Sequence, residues 1–203
     1  MANKTSRIRL LAESAIMVAL ATVLSMLKLW ESPYGGSVTI LSMTPIILLS
    51  LRRGLGVGLG AGLAHSLIQL LLGLSNVAWV PGAVGILVCV LTDYILPFTL
   101  LGLGGIFRKV KFSKNDTWNL FISAALGALL VTLLRYACHI ISGVAIWYEL
   151  DLEWYADDPT HIVHRYGAWA FSAVYNGIYM IPEILTTTVA TPILHKALSR
   201  IRN

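Results

Sequence analysis

Charge is what this sequence has least of. Asp, Glu, Lys and Arg together make up 12% of its 203 residues, about half the share of a soluble domain. That deficit excludes an ordinary water-soluble fold, whose surface must be covered with charge. Cysteine is nearly missing as well: Cys89 and Cys138 are the only two, and both fall in apolar runs. Neither a disulfide framework nor a cysteine metal cluster is implied. The glycine-rich run Gly54 to Gly62 is not followed by Gly-Lys-Ser/Thr, so it is not an ATPase phosphate loop. Any energy source must then lie in another chain or in an ion gradient. A nucleophile elbow and an HExxH pair are missing too, which removes the usual supports for a membrane hydrolase although Asp, His and Ser all occur.

What is there is apolar length. Hydrophobic residues form 57% of the chain, the mean hydropathy is +0.75, and the apolar residues gather in runs of roughly 20, enough to cross ~30 Å of hydrocarbon. The runs predict helices at about 8 to 29, 37 to 51, 54 to 73, 79 to 106, 118 to 148 and 166 to 197. The expected fold is an all-α membrane protein, a six-transmembrane-helix bundle forming one integral membrane domain over 1–203. The first run lacks a small-residue cleavage site and is expected to be a retained helix.

The net charge of +5 sits between the apolar runs and not on one soluble face. The bilayer is therefore the expected partner, and nucleic acid is not. Lys4, Arg7, Arg9, Arg52, Arg53, Arg108, Lys109, Lys111, Lys114, Lys196, Arg200 and Arg202 fall on one side of the predicted helices. The other side takes the loop Tyr148 to Tyr166 with Glu149, Asp151, Glu153, Asp157 and Asp158. Because lysine and arginine accumulate inside, both N- and C-termini are expected to be cytoplasmic, in a multi-pass protein of the cell membrane.

Small residues mark close helix contacts. Gly56/Gly60 and Gly58/Gly62 have small-xxx-small spacing. Ala12, Ala15 and Ala19 form a similar stripe on the first helix, open to two readings: packing within the chain, or docking of a partner membrane protein.

Ionisable groups at membrane depth each need a partner, a cavity or a task. Arg135, His139, Gly143 and Trp147 follow one another at steps of four, a slowly drifting stripe in which Gly143 leaves room for a flat ligand beside Trp147. Asp93 and Tyr94 interrupt the fourth helix; Asp93 either pairs with Arg135 or accepts hydrogen bonds from an amino-substituted, cationic ligand. The sixth helix offers Phe171 and Asn176, whose amide can donate and accept at a heterocycle edge. Tyr179 is read as packing, and Glu183 as a helix-to-helix hydrogen bond ahead of a substrate role. Trp79, Tyr148, Trp154 and Tyr155 are interface aromatics or parts of a lid. His65 and Gln69 are expected to bond one another. His161 and His164, with Asp157 and Asp158, read as a solvated loop ahead of a metal site. An aromatic cage with one acid suits a flat cationic ring.

These blocks resemble the thiamine-specific S component of energy-coupling factor (ECF) transporters over most of the chain. The pieces are RLLAESAIMVALA, YGGSVTILSMTPIILLSLRRG, LTDYILP, LLRYACHIISGVAIW, the most specific, and AFSAVYNGIYMIP. The resemblance implies a six-helix, non-enzymatic subunit with no cofactor or metal, binding thiamine near the outer surface. It implies partners as well: a transmembrane coupling subunit meeting Ala15 and Ala19, and two ATPase subunits. The family's aminopyrimidine-binding acid falls on Asp93, followed by Tyr94. Its fifth-helix set falls on Arg135, His139, Gly143 and Trp147, and its sixth-helix asparagine on Asn176; Trp79 is a further candidate contact. Some members carry glutamate at 93, lysine at 135, tyrosine at 171 and tryptophan at 36. The alternatives are an S component for another vitamin or a thiamine precursor, and a stand-alone proton-coupled transporter relaying protons through Asp93, His139 and Glu183.

Overall fold

In the computed structural model, residues 4–32 and 35–199 are described; Arg200 and Arg202, counted above with the basic residues, lie outside them. The chain is mostly helical. Among the described residues five segments are long and apolar enough to cross a membrane: Ser6–Met26, Leu55–Leu72, Ala83–Gly105, Asp116–Trp154 and Ala168–Ser199.

The segment expected at 37 to 51 differs from that expectation. Its beginning is strand β2 (Ser37–Thr39), paired antiparallel with β1 (Lys28–Glu31) after helix α1 (Lys4–Met26), with Trp30 opposite Val38. Gly35 and Gly36 allow the hairpin because both hold positive φ, at 95° and 86°. Only then does helix α2 (Thr44–Arg53) start. Its ten residues rise ~15 Å, about half the hydrocarbon thickness. Every residue from Thr44 to Leu51 is buried, so α2 is the core on which longer helices pack and not a lipid-facing span. Uniform apolarity conceals that difference, since a buried helix and a membrane span read alike by composition.

Around α2 the contacts are close. Met43, Ile46, Ile47 and Leu49 meet Leu101, Ala124, Ala128 and Val131 in one buried cluster. The Ser50 hydroxyl donates to the Gly102 carbonyl at 2.5 Å and accepts from the Gly105 amide at 3.0 Å. In helix α3 (Leu55–Leu72) a Cβ on Gly62 would lie 2.8 Å from the Thr99 oxygen, and one on Gly58 2.6 Å from the Gly102 oxygen. This is the backbone approach that small residues permit in lipid. Gly56 and Gly60 have nothing within 4 Å, so only one of the two expected glycine pairs packs. Glu13 ties α1 to α2, taking Arg53 Nε at 2.6 Å and Arg52 Nε at 3.3 Å. Farther along α1, Ala21 is buried and Met17 and Val18 pack on the core, whereas Ala12, Ala15 and Ala19 are exposed, so packing among the described residues does not account for that stripe.

After the short helix α4 (Leu74–Val77), two long spans each contain one π-helical turn. The first runs through α5 (Ala83–Cys89), a π-helical turn (Val90–Ile95), α6 (Leu96–Thr99) and a 3-10 turn (Leu100–Gly105). The second is α7 (Asp116–Ser142), capped by Asn115 Oδ1, which accepts from the amides of Thr117 and Trp118. It continues through a π-helical turn (Gly143–Trp147) into α8 (Tyr148–Trp154). The acidic stretch expected as a loop from Tyr148 is thus helical at first, and Leu150 and Asp151 are buried. Helix α9 (Ala168–Ser199) closes the bundle against α7, with Pro182 and Pro192 inside it.

Candidate functional site

A cavity of about 560 Å³ opens where the two π turns meet α3, α9 and the β hairpin. Asp93 and Tyr94 come from the first π turn, Gly143 and Trp147 from the second, Arg135 and His139 from α7, and Phe171, Asn176 and Tyr179 from α9; all nine line it. π turns recur at functional sites because they re-aim side chains. Here the effect is specific. Steps of four overshoot a full α-helical turn, so the stripe from Arg135 would drift away, whereas the wider turn at 143–147 makes a step of four fall short and returns Trp147 to the same wall.

Asp93 organises the site. Its Oδ2 accepts from the Ser142 hydroxyl at 2.5 Å and from the Trp147 indole N–H at 2.9 Å, and its Oδ1 lies 3.2 Å from His139 Nδ1. The Cys89 thiol adds a weak contact at 3.6 Å. Arg135 Nε donates to His139 Nε2 at 3.3 Å, and this fixes the tautomer. A guanidinium has no acceptor, so Nε2 must be unprotonated, and the proton sits on Nδ1 and points to Asp93. Asp93 and Arg135 therefore do not pair directly; the neutral imidazole of His139 stands between them. The Arg135 guanidinium also lies 4.6 Å above the centroid of Phe98, a cation–π contact.

A carboxylate offers about four acceptor positions, and three are taken by strong protein donors. One remains, on Oδ1. Asn176 is more committed than its sequence suggests. Its Nδ2 donates to the carbonyls of His139 at 3.2 Å and Ser172 at 2.9 Å, and its Oδ1 accepts the Tyr179 hydroxyl at 2.5 Å. Both of its hydrogens are used, so toward a ligand it only accepts. Tyr94 donates to the Gly73 carbonyl at 3.0 Å, which pins its ring against the end of α3. A Cβ on Gly143 would stand 2.6 Å from Ser172 Oγ, so glycine there keeps α7 and α9 in contact beside the indole.

Trp79 is not part of the lining. It sits in the turn between α4 and α5 and meets Trp154 edge to face, ring centroids 6.0 Å apart. Tyr148 packs on Phe171. His161 stacks on Tyr155, and His164 Nε2 lies 2.7 Å from the Tyr155 carbonyl, so both rings have structural partners.

Several lining residues escaped sequence reasoning. Tyr179, read as packing, is buried at the wall and touches the His139 ring edge to face. It also holds the space that a side chain at Gly36 would enter. Asp151 and Ser172 line the cavity with a buried Oδ1 and Oγ that have no hydrogen-bond partner among the described residues. Spacing pointed to Asp151, four residues beyond Trp147, but its place in an acidic stretch disguised it. Glu183 lies behind the wall, fully buried; its Oε1 accepts from the Thr39 amide and from the Thr39 hydroxyl at 2.7 Å, anchoring β2 to α9. His65 and Gln69 are 3.4 Å apart and are joined by Ser25 and Thr22 of α1.

The model of the thiamine transporter protein family matches residues 11–203. This chain belongs to that family. The thiamine transporter ThiT of Bacillus subtilis is 32% identical over 205 residues, covering 98% of this chain and 96% of its own. The ThiT of Lacticaseibacillus paracasei is 28% identical over 90% of this chain. A solved structure of ThiT from Listeria monocytogenes superposes with a TM-score of 0.72 at 26% identity, covering 96% of this chain and 97% of that one. Family membership identifies a membrane transport protein and not an enzyme.

Proposed function

We propose that this chain captures thiamine with high affinity as the substrate-binding subunit of an ECF transporter, and passes it through the cell membrane together with a separate transmembrane coupling subunit and two ATPase subunits. The observation that carries the reading is the convergence of Asp93, His139 and Trp147, from two spans, on one cavity. The acceptor position left on Asp93 Oδ1 suits an aminopyrimidine N–H, in a charge-assisted bond contributing about 1.5 to 3 kcal/mol. The indole of Trp147, held by Asp93, and the ring of Tyr179 offer faces for flat heterocycles. Asp151 supplies a second carboxylate for a cationic ring. Arg135, Tyr94, Gly143, Phe171 and Asn176 shape and hold the chamber. A cavity of about 560 Å³ falls within the usual range for small-molecule sites.

Counting α2 with the five long segments, the reading is a six-helix bundle with both termini in the cytoplasm, supported by the basic residues at the helix ends on that side. Ala15 and Ala19, exposed on α1, are the docking surface for the coupling subunit. Calorimetric titration of the purified protein with thiamine, hydroxymethylpyrimidine, riboflavin and pantothenate tests the substrate. Thiamine is expected to bind tightest; tighter binding of either unrelated vitamin replaces this reading. Uptake that persists without the coupling module and stops with an uncoupler would support a proton-coupled carrier instead.

A further inference from the structure

A second cavity, of about 440 Å³, lies at the other end of the bundle. It is bounded by the end of α2 at Leu51 and Arg52, by Arg108, by the first turns of α7 at Asp116 and Leu120, and by His195 near the end of α9. Ser123, the lining residue farthest along α7, is twelve positions from Arg135, ~18 Å along the helix, so this cavity is separate from the one above.

Its polar groups differ in the partners they have among the described residues. Arg52 Nη1 donates to the Leu198 carbonyl at 3.0 Å, and Arg52 Nε pairs with Glu13. Arg108 has no ion-pair partner among the described residues, and its guanidinium lies over Gly54, where a Cβ would come 3.1 Å from Nη1. His195 Nδ1 is buried with no hydrogen-bond partner among the described residues, a state that costs free energy unless a further donor or acceptor satisfies it. Two arginines and one carboxylate, Asp116, line the cavity, and Lys109, Lys111 and Lys114 lie in the adjoining segment. Leu51 and Leu120 give one side an apolar wall.

We propose that this cavity binds a phosphate-bearing anion, with Arg108 and His195 as its principal contacts and Arg52 behind them. A basic pocket between helix ends with an apolar side suits the headgroup of an anionic lipid; inorganic phosphate carries the same recognised group. Phosphate accepts both a guanidinium fork and an imidazole N–H.

The test is the thermal unfolding midpoint of the purified full chain in detergent, with added phosphatidylglycerol, phosphatidylcholine or inorganic phosphate. At saturation near 100 times Kd, the bound anion should raise the midpoint by about 5 to 10 °C. A rise with phosphatidylglycerol but not phosphatidylcholine assigns a lipid headgroup, and a rise with inorganic phosphate alone assigns the free anion. In Arg108→Gln and in His195→Gln, each checked for native helix content by circular dichroism, at least half of the rise should disappear. Lys109→Gln/Lys111→Gln should keep it. The proposal is overturned if neither anion raises the midpoint, if phosphatidylcholine works equally well, if both single variants keep the full rise, or if the lysine pair loses as much as Arg108→Gln.

Discussion

Replacing Asp93 by Asn keeps the shape of the side chain and removes its charge, and the surrounding donors make the result calculable. Three protein donors point at the two oxygens: His139 Nδ1, the Ser142 hydroxyl and the Trp147 indole. An amide offers only one oxygen. If its NH₂ takes the Oδ1 place it confronts the proton on His139, which cannot change tautomer while Arg135 donates to Nε2. It also presents hydrogens where the ligand amine should bind. If the NH₂ takes the Oδ2 place, Ser142 can rotate to accept but the indole N–H cannot. Either orientation leaves a buried donor unsatisfied, at about 1 to 3 kcal/mol of stability. Ligand affinity falls further because a charge-assisted bond becomes neutral or is lost: about 1.5 to 3 kcal/mol, roughly 10- to 150-fold in Kd. Titration calorimetry reads the affinity and thermal unfolding without ligand reads the stability. Asp93→Glu, which retains the charge, is expected to recover most of the binding. If Asp93→Asn binds thiamine within about twofold of the wild type, the carboxylate is a packing group and the substrate assignment loses its main support.

Asp151→Asn should weaken binding of thiamine by about 1 kcal/mol while leaving the uncharged hydroxymethylpyrimidine unaffected, a contrast that paired titrations measure. Gly143→Ala pushes a methyl into Ser172 Oγ and should cost about 1 to 3 kcal/mol of binding or stability, read by calorimetry and unfolding together. Glu183→Ala strips the acceptor from the Thr39 amide and should weaken binding about tenfold through the loosened hairpin, whereas Glu183→Gln, which keeps a carbonyl oxygen there, should stay within about threefold. Ala15→Trp should abolish uptake into cells while binding by the purified protein is retained, since Ala15 is exposed on α1, away from the cavity.

The long spans and the polar stripe of the fifth helix were legible in the sequence because length, apolarity and a step of four are all local signals. What escaped was set by packing. Ten residues of α2 read as part of a span because lipid and protein interior select the same side chains. The hairpin before it was hidden in a stretch whose turn depends on Gly35 and Gly36 at positive φ. The π turns left no mark in composition, yet they decide which residues share a wall with Asp93. By residue type and spacing alone Tyr179 reads as filler and Asn176 as a versatile contact. The 2.5 Å bond between them makes the first a wall of the site and limits the second to accepting. Burial of Asp151 depends on α7 continuing as helix through the second π turn, which an acidic run gives no reason to expect.

The charges around the cavity bear on what it holds. Arg135, His139 and Asp93 form a chain in which a neutral imidazole relays a cation's hydrogen bond to an anion, so the three together carry no net charge. Lys28 and Glu31, also at the lining, pair with each other. Asp151 is the remaining carboxylate among the described lining residues, and its buried Oδ1 has no hydrogen-bond partner among them. With Asp151 ionised, the lining holds one negative charge in excess, in surroundings where an unpaired charge is expensive. A monocation entering the cavity cancels that excess; a neutral ring of the same shape does not, and an anion adds to it. On the proposed reading, selectivity for a cationic heterocycle is predicted from the balance of the whole wall and not from Asp93 alone, which is why the paired titrations of Asp151→Asn separate charge recognition from recognition of the amine.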